Sequence, residues 1–193
     1  MQILKQFWRR DWWVMAMDDT QRKIIGGNNR ANGHLFENLL DVSCEYYYEK
    51  GIACIEKTPE PMKVIKPFGD RRFGQYIACY KKTAQPDYKG SLCDGTCIIF
   101  DAKHTDTDRI TQAAVTDNQV KVFDRYQSMK AKCYLIVSLG FEDFYRVPWN
   151  VWKDMKQLYG HKHMTRQELE QYRIKGNCSK VLFLEGVTLY EDR

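Results

Sequence analysis

The 193-residue sequence predicts an α/β domain, a mixed β-sheet flanked by helices with a protruding β-hairpin. Three observations carry that expectation. The patterns run as one helical segment, then several short strands, then alternating helix and strand, which is the order of a mixed sheet covered by helices. Cys133 to Leu139 is a continuous apolar run with β-branched residues, the mark of a central strand buried on both faces. A composition of 44% apolar and 28% charged residues fills one sizeable core and would crowd two full domains.

Gly26-Gly27-Asn28-Asn29 reads as a loop. A helix follows from Asn32, a good N-cap residue, to Lys50, with Leu35, Phe36, Leu39, Leu40, Ser43 and Tyr47 at three- and four-residue spacing and Gly51 as its stop. Ile52 to Glu56 is a short strand, broken by Thr58-Pro59-Glu60-Pro61. Met62 to Lys66 and Gln75 to Lys82 form the two arms of the protruding hairpin, around Pro67-Phe68-Gly69-Asp70. Tyr88 to Cys93 and Thr96 to His104 form a second hairpin, because Asp94-Gly95 between them suits a tight turn. A helix spans Thr116 to Lys130, and Phe144 to Val147 is a strand. Pro148 opens a helix to Tyr159, Thr165-x-x-Glu168 is a capping box, and Val181 to Leu184 is a last strand.

Composition excludes several classes. No apolar run approaches the roughly 20 residues of a membrane span, and the charge content excludes a disordered chain. Seven cysteines, an odd number with no signal peptide before them, fit a reduced, cytoplasmic protein. Cys93-x-x-x-Cys97 and His161-x-His163 do not match the ligand spacing of structural zinc. Residues 1–27, rich in Trp and Met but interrupted by charge, read as an N-terminal extension to a domain over 28–193.

The charge is concentrated. Between Lys57 and Lys82, seven basic residues (Lys57, Lys63, Lys66, Arg71, Arg72, Lys81, Lys82) face two acidic ones, while the rest of the chain has 23 of each sign. The whole net charge of +5 therefore sits on one hairpin, at about 61–85 with its flanks, interleaved with Phe68, Phe73, Tyr76 and Tyr80. Cations displace counterions from a phosphate backbone and aromatic rings stack on exposed bases, which fits nucleic acid; a solvated hairpin stiffened by its own aromatics fits equally well.

The chemistry-bearing stretch is Pro86-Asp87, then Asp101-Ala102-Lys103. Residues i and i+2 on a strand share a face, so Asp101 and Lys103 lie together, and a hairpin closing at Asp94-Gly95 returns Asp87 beside Asp101. Two carboxylates make a hard oxygen site for Mg²⁺, which polarises a phosphate and lowers the pKa of bound water. Lysine, unlike arginine, can both orient water and shift its pKa.

The pattern P-D-x(13)-D-x-K in a hairpin resembles the PD-(D/E)xK nuclease superfamily, which implies a restriction-endonuclease-like sheet. The series Gly33-His-Leu-Phe-Glu37, Lys57-Thr-Pro-Glu-Pro61, Asp87-Tyr-Lys-Gly90, Phe100-Asp-Ala-Lys103 and Asn118-Gln119 resembles the RecU-type Holliday junction resolvases over roughly residues 28–185. The chain departs from that pattern at Asp101, where Glu is usual, and at Pro86, where Thr is usual. The resemblance implies a homodimer acting on four-way junction DNA, with Mg²⁺ (or Mn²⁺ in its place) held by Asp87, Asp101 and Glu37. Lys103 is the catalytic lysine, and Glu37 and Gln119 complete the catalytic set. The hairpin becomes a stalk entering the junction, with Lys57, Lys63, Lys66, Arg71, Arg72, Lys81, Lys82 and Arg30 on DNA. The implied reaction is symmetric phosphodiester hydrolysis leaving 5′-phosphates, in recombination and repair. The competing readings are a flap, nick or restriction-like nuclease on the same core, or a non-catalytic junction-binding modulator.

Overall fold

The computed structural model describes residues 19–59, 61–80 and 85–187. A six-stranded sheet forms the centre: β1 (Ala53–Lys57), β4 (Tyr88–Leu92), β5 (Cys97–Thr105), β7 (Lys132–Leu139), β8 (Asp143–Pro148) and β10 (Arg173–Ile174), adjacent in that order. β5 and β7 are parallel and every other neighbouring pair is antiparallel, so the sheet is mixed, as expected. A parallel pair needs a long crossover, and α2 (Asp117–Ser128) lies within it.

Strand alternation sorts the core into two halves. On β5, Ile98 and Phe100 join Phe36, Leu40 and Tyr47 of α1 (Asp19–Glu49) on one face, whereas Ile99 joins Phe123 of α2 and Trp149 and Trp152 of α3 (Trp149–Lys153) on the other. β7 alternates likewise, Ile136 facing α1 and Leu135, Val137 and Leu139 facing α2. Both halves are closed over the same strands, which explains the unbroken apolar run of β7.

The hairpin of β2 (Met62–Pro67) and β3 (Tyr76–Tyr80) stands apart, with every residue of both strands exposed. It leaves the sheet between β1 and β4, which pair with each other at its base, Lys57 opposite Tyr88. A small two-stranded sheet of β6 (Arg109–Thr111) and β9 (His163–Thr165) completes the strands among the described residues.

Several expectations are corrected. Residues 26–29 lie within α1 rather than in a loop, and Asn32 is no cap: its amide donates to Asp106 Oδ2 at 3.1 Å. Glycine costs only about 1 kcal/mol in a helix, and the flanking Gln21-Arg22-Lys23 run favours continuing the turn. The boundary drawn at 27/28 thus falls inside a helix. The helix expected from Pro148 to Tyr159 is divided at Asp154, whose carbonyl accepts from Gln157 and Leu158 and restarts the helix as α4 (Met155–Tyr159). Val181, Phe183 and Leu184 are buried, but the segment is not a strand beyond an isolated bridge of Val181 to Gly176: the Val181 N–H donates to Ser43 Oγ, the Leu182 N–H to the Lys175 carbonyl and the Leu184 N–H to the Tyr47 hydroxyl, so α1 side chains satisfy two of the backbone groups that a sheet would have. The capping box does open α5 (Arg166–Leu169), Thr165 and Glu168 bonding reciprocally.

Candidate active site

The β4–β5 hairpin turns at Asp94-Gly95, where Asp94 Oδ1 accepts from the Thr96 N–H and Gly95 adopts φ +85°, a conformation glycine tolerates. Its register sets Tyr88 opposite Phe100. One step further, the Asp87 N–H donates to Asp101 Oδ1 (3.2 Å) and the Ala102 N–H donates to Asp87 Oδ2 (3.0 Å). These reciprocal bonds fix both carboxylates at the hairpin's open end. Gly90 permits this geometry, since a Cβ there would lie 2.1 Å from the Cys54 carbonyl on β1. From the other side, the Asp87 carbonyl accepts from the Thr58 N–H at 2.7 Å.

Asp101 is fully buried. Its Oδ1 accepts from Gln119 Nε2 at 2.7 Å, and its Oδ2 is ion-paired with the Lys103 ammonium. Gln119 occupies the third position of α2, where its Oε1 accepts from the Thr116 N–H (3.0 Å) in a capping box. The cap fixes the oxygen, so the amide nitrogen is left to face Asp101. Thr116 was not singled out from the sequence, although Thr116-x-x-Gln119 is a capping-box pattern that would have revealed it.

Electrostatics follow from this crowding. Burial, then the neighbouring Asp101 carboxylate, pushes Asp87 up to about 7, although Lys103 and the Ala102 N–H pull the other way. Burial disfavours the Lys103 charge, but Asp101 and Asp87 outweigh it and raise its pKa above the ordinary lysine value. Glu37 on α1 is near enough to raise both. Its carboxylate is bound to Lys57 Nζ at 2.6 Å, and Asp41 lies 4.0 Å from the same ammonium. Tyr88, fully buried and stacked on Phe100 at 4.7 Å, ties α1 to the hairpin through its hydroxyl, 2.6 Å from Asp41 Oδ1 and 2.9 Å from the Glu37 carbonyl.

The structure thus brings Asp87, Asp101, Lys103 and Gln119 into one bonded cluster and sets Glu37 beside it, engaged with Lys57. Of the residues read as DNA contacts, Lys63 and Lys66 are exposed on β2, and Arg30 is exposed on α1. Arg72 is exposed and bonded to Asp70, with Nε 2.9 Å from Oδ2. Lys57 is half-exposed and bound at the site. Arg71 falls in a short 3₁₀ turn at the hairpin tip. Lys81 and Lys82 lie outside the described residues, as does most of the expected N-terminal extension.

The donor set suits a hard cation. Asp101 Oδ2 is buried and has no hydrogen-bond donor in line with it, only the lysine charge. Among the described residues no three His, Cys, Asp or Glu side chains form a complete metal cage. Two aspartate oxygens fit Mg²⁺, which commonly keeps waters and phosphate oxygens as its remaining ligands.

A mixed sheet that joins two aspartates and a lysine across one hairpin is the architecture of an α/β nuclease. The chain belongs to the recombination protein U family, whose model matches residues 31–189. It is 28% identical over 158 residues to the Holliday junction resolvase RecU of Bacillus pumilus (strain SAFR-032), covering 78% of this chain and 76% of that protein. To the Holliday junction resolvase RecU of Ligilactobacillus salivarius (strain UCC118) it is 27% identical over 187 residues, covering 90% and 84%. Among solved structures, the Holliday junction resolvase Hjc of Archaeoglobus fulgidus aligns over 72% of this chain and 88% of its own, with 11% identity and a TM-score of 0.42.

Proposed function

We propose that the protein resolves four-way DNA junctions as a Mg²⁺-dependent endonuclease, hydrolysing two symmetry-related phosphodiester bonds to leave 5′-phosphates. The reciprocal backbone–carboxylate bonds between Asp87 and Asp101, with Lys103 paired to the same carboxylate, carry this reading. Asp87 and Asp101 would hold the metal, with Glu37 as the third carboxylate of the site. When bound, the metal supplies charge neutralisation on the phosphate and a lowered pKa for its water.

The remaining work falls to the chain's own groups. Gln119 holds Asp101 in one rotamer. The Lys103 ammonium, on the same strand face as Asp101, orients the attacking water and offsets negative charge as the phosphate approaches. Lys57 keeps Glu37 ordered beside them. The exposed hairpin offers Lys63, Lys66 and Arg72 to phosphates and Phe68, Phe73, Tyr76 and Tyr80 to bases. A junction needs two matched cuts, which an isologous homodimer would deliver from two equivalent sites.

No helix among the described residues is long and apolar enough to cross a membrane; we read the protein as acting in the cytoplasm. The test is incubation of a labelled, immobile four-way junction and a matched duplex with Mg²⁺, Mn²⁺ or EDTA. Paired, metal-dependent incisions on the junction with the duplex intact are expected. Equal cutting of the duplex, or no cutting with either metal, would refute the reading.

A further inference from the structure

Beyond Lys103, β5 continues into a segment whose odd-numbered residues are Thr105, Thr107, Arg109 and Thr111. Together with Lys103, His104, Ile110 and Ala114 they line a cavity of about 260 Å³. The intervening aspartates, Asp106 and Asp108, are not in its wall. Asp106 is turned to other partners: His104 Nε2 lies 3.0 Å from its Oδ1, and Asn32 donates to its Oδ2. The wall thus carries three hydroxyls and the Lys103 and Arg109 cations beside His104 and the apolar Ile110 and Ala114, and no carboxylate.

Two observations make this wall a preformed site. Its backbone is anchored, because β6 pairs with β9 and sets Ile110 opposite Met164, both buried, while the Arg166 N–H donates to the Asp108 carbonyl and the Gln112 N–H to the Lys162 carbonyl. Two of its donors are also uncommitted. Among the described residues, the exposed Arg109 guanidinium has no acidic partner, and the Thr111 hydroxyl makes no hydrogen bond. Thr105 and Thr107 hold each other at 2.9 Å, which orders the turn that presents Arg109.

The cavity is smaller than the roughly 300–1,000 Å³ of sites that engulf a small organic molecule. A cation and hydroxyls beside an open space suit a phosphate group. Because Lys103 belongs both to this wall and to the carboxylate cluster, such a phosphate would lie next to the one being hydrolysed. We propose that the cavity between β5 and β6 binds a non-scissile phosphate of the DNA strand being cut, with Arg109 as its anchor and the Thr111 hydroxyl as a second donor. This rests on the nuclease reading above and deepens it. Arg109 is here a positioning residue, holding the strand so that the adjacent phosphate meets Asp87 and Asp101.

The test uses the full chain and an immobile junction in which single phosphates near the branch point are replaced by uncharged methylphosphonates. Binding is read by gel shift in EDTA, so it does not depend on cleavage. Wild-type protein should lose about tenfold in affinity at one replaced position, the worth of about one charge-assisted contact. Arg109→Gln should lose about tenfold on the unmodified junction, show a salt slope shallower by about one, and be indifferent to that same replacement. Arg109→Lys should recover part of the loss. In cleavage, Arg109→Gln should raise KM and also lower kcat, because the adjacent phosphate is held less well against Asp87 and Asp101. Wild-type affinity and salt slope for Arg109→Gln, or equal sensitivity of both proteins at every replaced phosphate, would overturn the inference. Failure of the wild type to cut in Mg²⁺ counts against the resolvase reading alone, since the binding measurements decide this one.

Discussion

Gln119 donates to Asp101 Oδ1 at 2.7 Å while its own oxygen caps α2 at Thr116. One amide side chain therefore joins a helix terminus to a buried carboxylate and fixes which of its oxygens faces Lys103. Gln119→Glu keeps the cap but turns a donor into an acceptor against Asp101. We expect cleavage to fall by at least 100-fold and the Tm to drop at pH 8, with recovery as the pH falls and the new carboxyl takes a proton. Gln119→Ala should slow cleavage less than Asp101→Asn does. Thermal melts across pH, beside single-turnover rates, check both variants.

Thr116 acts through that amide. Thr116→Val removes the hydroxyl half of the cap and should cost about 1 kcal/mol. It should also raise the Mg²⁺ concentration needed for half-maximal cleavage, which Thr116→Ser should restore. A variant that is merely less stable, with an unchanged Mg²⁺ dependence, would show that Gln119 finds Asp101 unaided.

Asp101→Asn and Lys103→Ala should each abolish cleavage while junction binding persists. Their stabilities should diverge. Lys103→Ala leaves a fully buried Asp101 without its charge partner, a loss on the order of 3 kcal/mol. Asp101→Asn removes the buried charge itself and should be much milder. Denaturant melts without metal separate the two, and equal destabilisation would count against the ion pair.

Asp87 carries a pH signature. Its folded pKa of about 7 stands above the ordinary 3.8, so between those values the folded state holds a proton that the unfolded chain releases. The stability this group contributes is complete below the lower value and is lost as pH rises through the upper one. Asp87→Asn should accordingly stabilise the metal-free protein at pH 8, by roughly 1–2 kcal/mol, while eliminating cleavage, and the gain should vanish by pH 4. Calorimetry at the two pH values reads this directly.

The stalk should govern affinity rather than chemistry. Neutralising Arg71, Arg72, Lys81 and Lys82 together should flatten the salt dependence of junction binding by about one unit per lost phosphate contact. Duplex affinity should fall less than junction affinity. Equal losses on both would reduce the hairpin to a general basic patch.

Much of this was legible in the sequence because the signals are local and period-2. The Asp-Gly turn and the i, i+2 spacing of Asp101 and Lys103 were enough to bring Asp87 beside Asp101, and the unbroken Cys133–Leu139 run located the central strand. What escaped needed partners distant in sequence. Val181 to Leu184 looks like a strand, but its first and last N–H groups go to Ser43 and Tyr47, well over 100 residues away, and only Leu182 bonds a neighbouring backbone carbonyl, that of Lys175. Lys57 reads as one more cation of a basic segment, and only the packing of α1 on β1 shows it bound to Glu37. The glycines and asparagines at 26–29 signal a break, yet their cost of about 1 kcal/mol per glycine is too small to end the helix.

The base of the stalk has a consequence for how such a molecule could be altered. Lys57 and Tyr88 are paired neighbours in the sheet, and Thr58 bonds to Asp87, so the chain ends flanking the projection already meet without it. A short turn inserted there would close β1 onto β4, and loop-closure entropy favours the shorter connection. The projection is in this sense an exchangeable cassette: it could be trimmed, lengthened or swapped for one of different charge while the scaffold around Asp87 and Asp101 stays whole. Substrate choice and bond breaking would then be free to diverge separately along one chain.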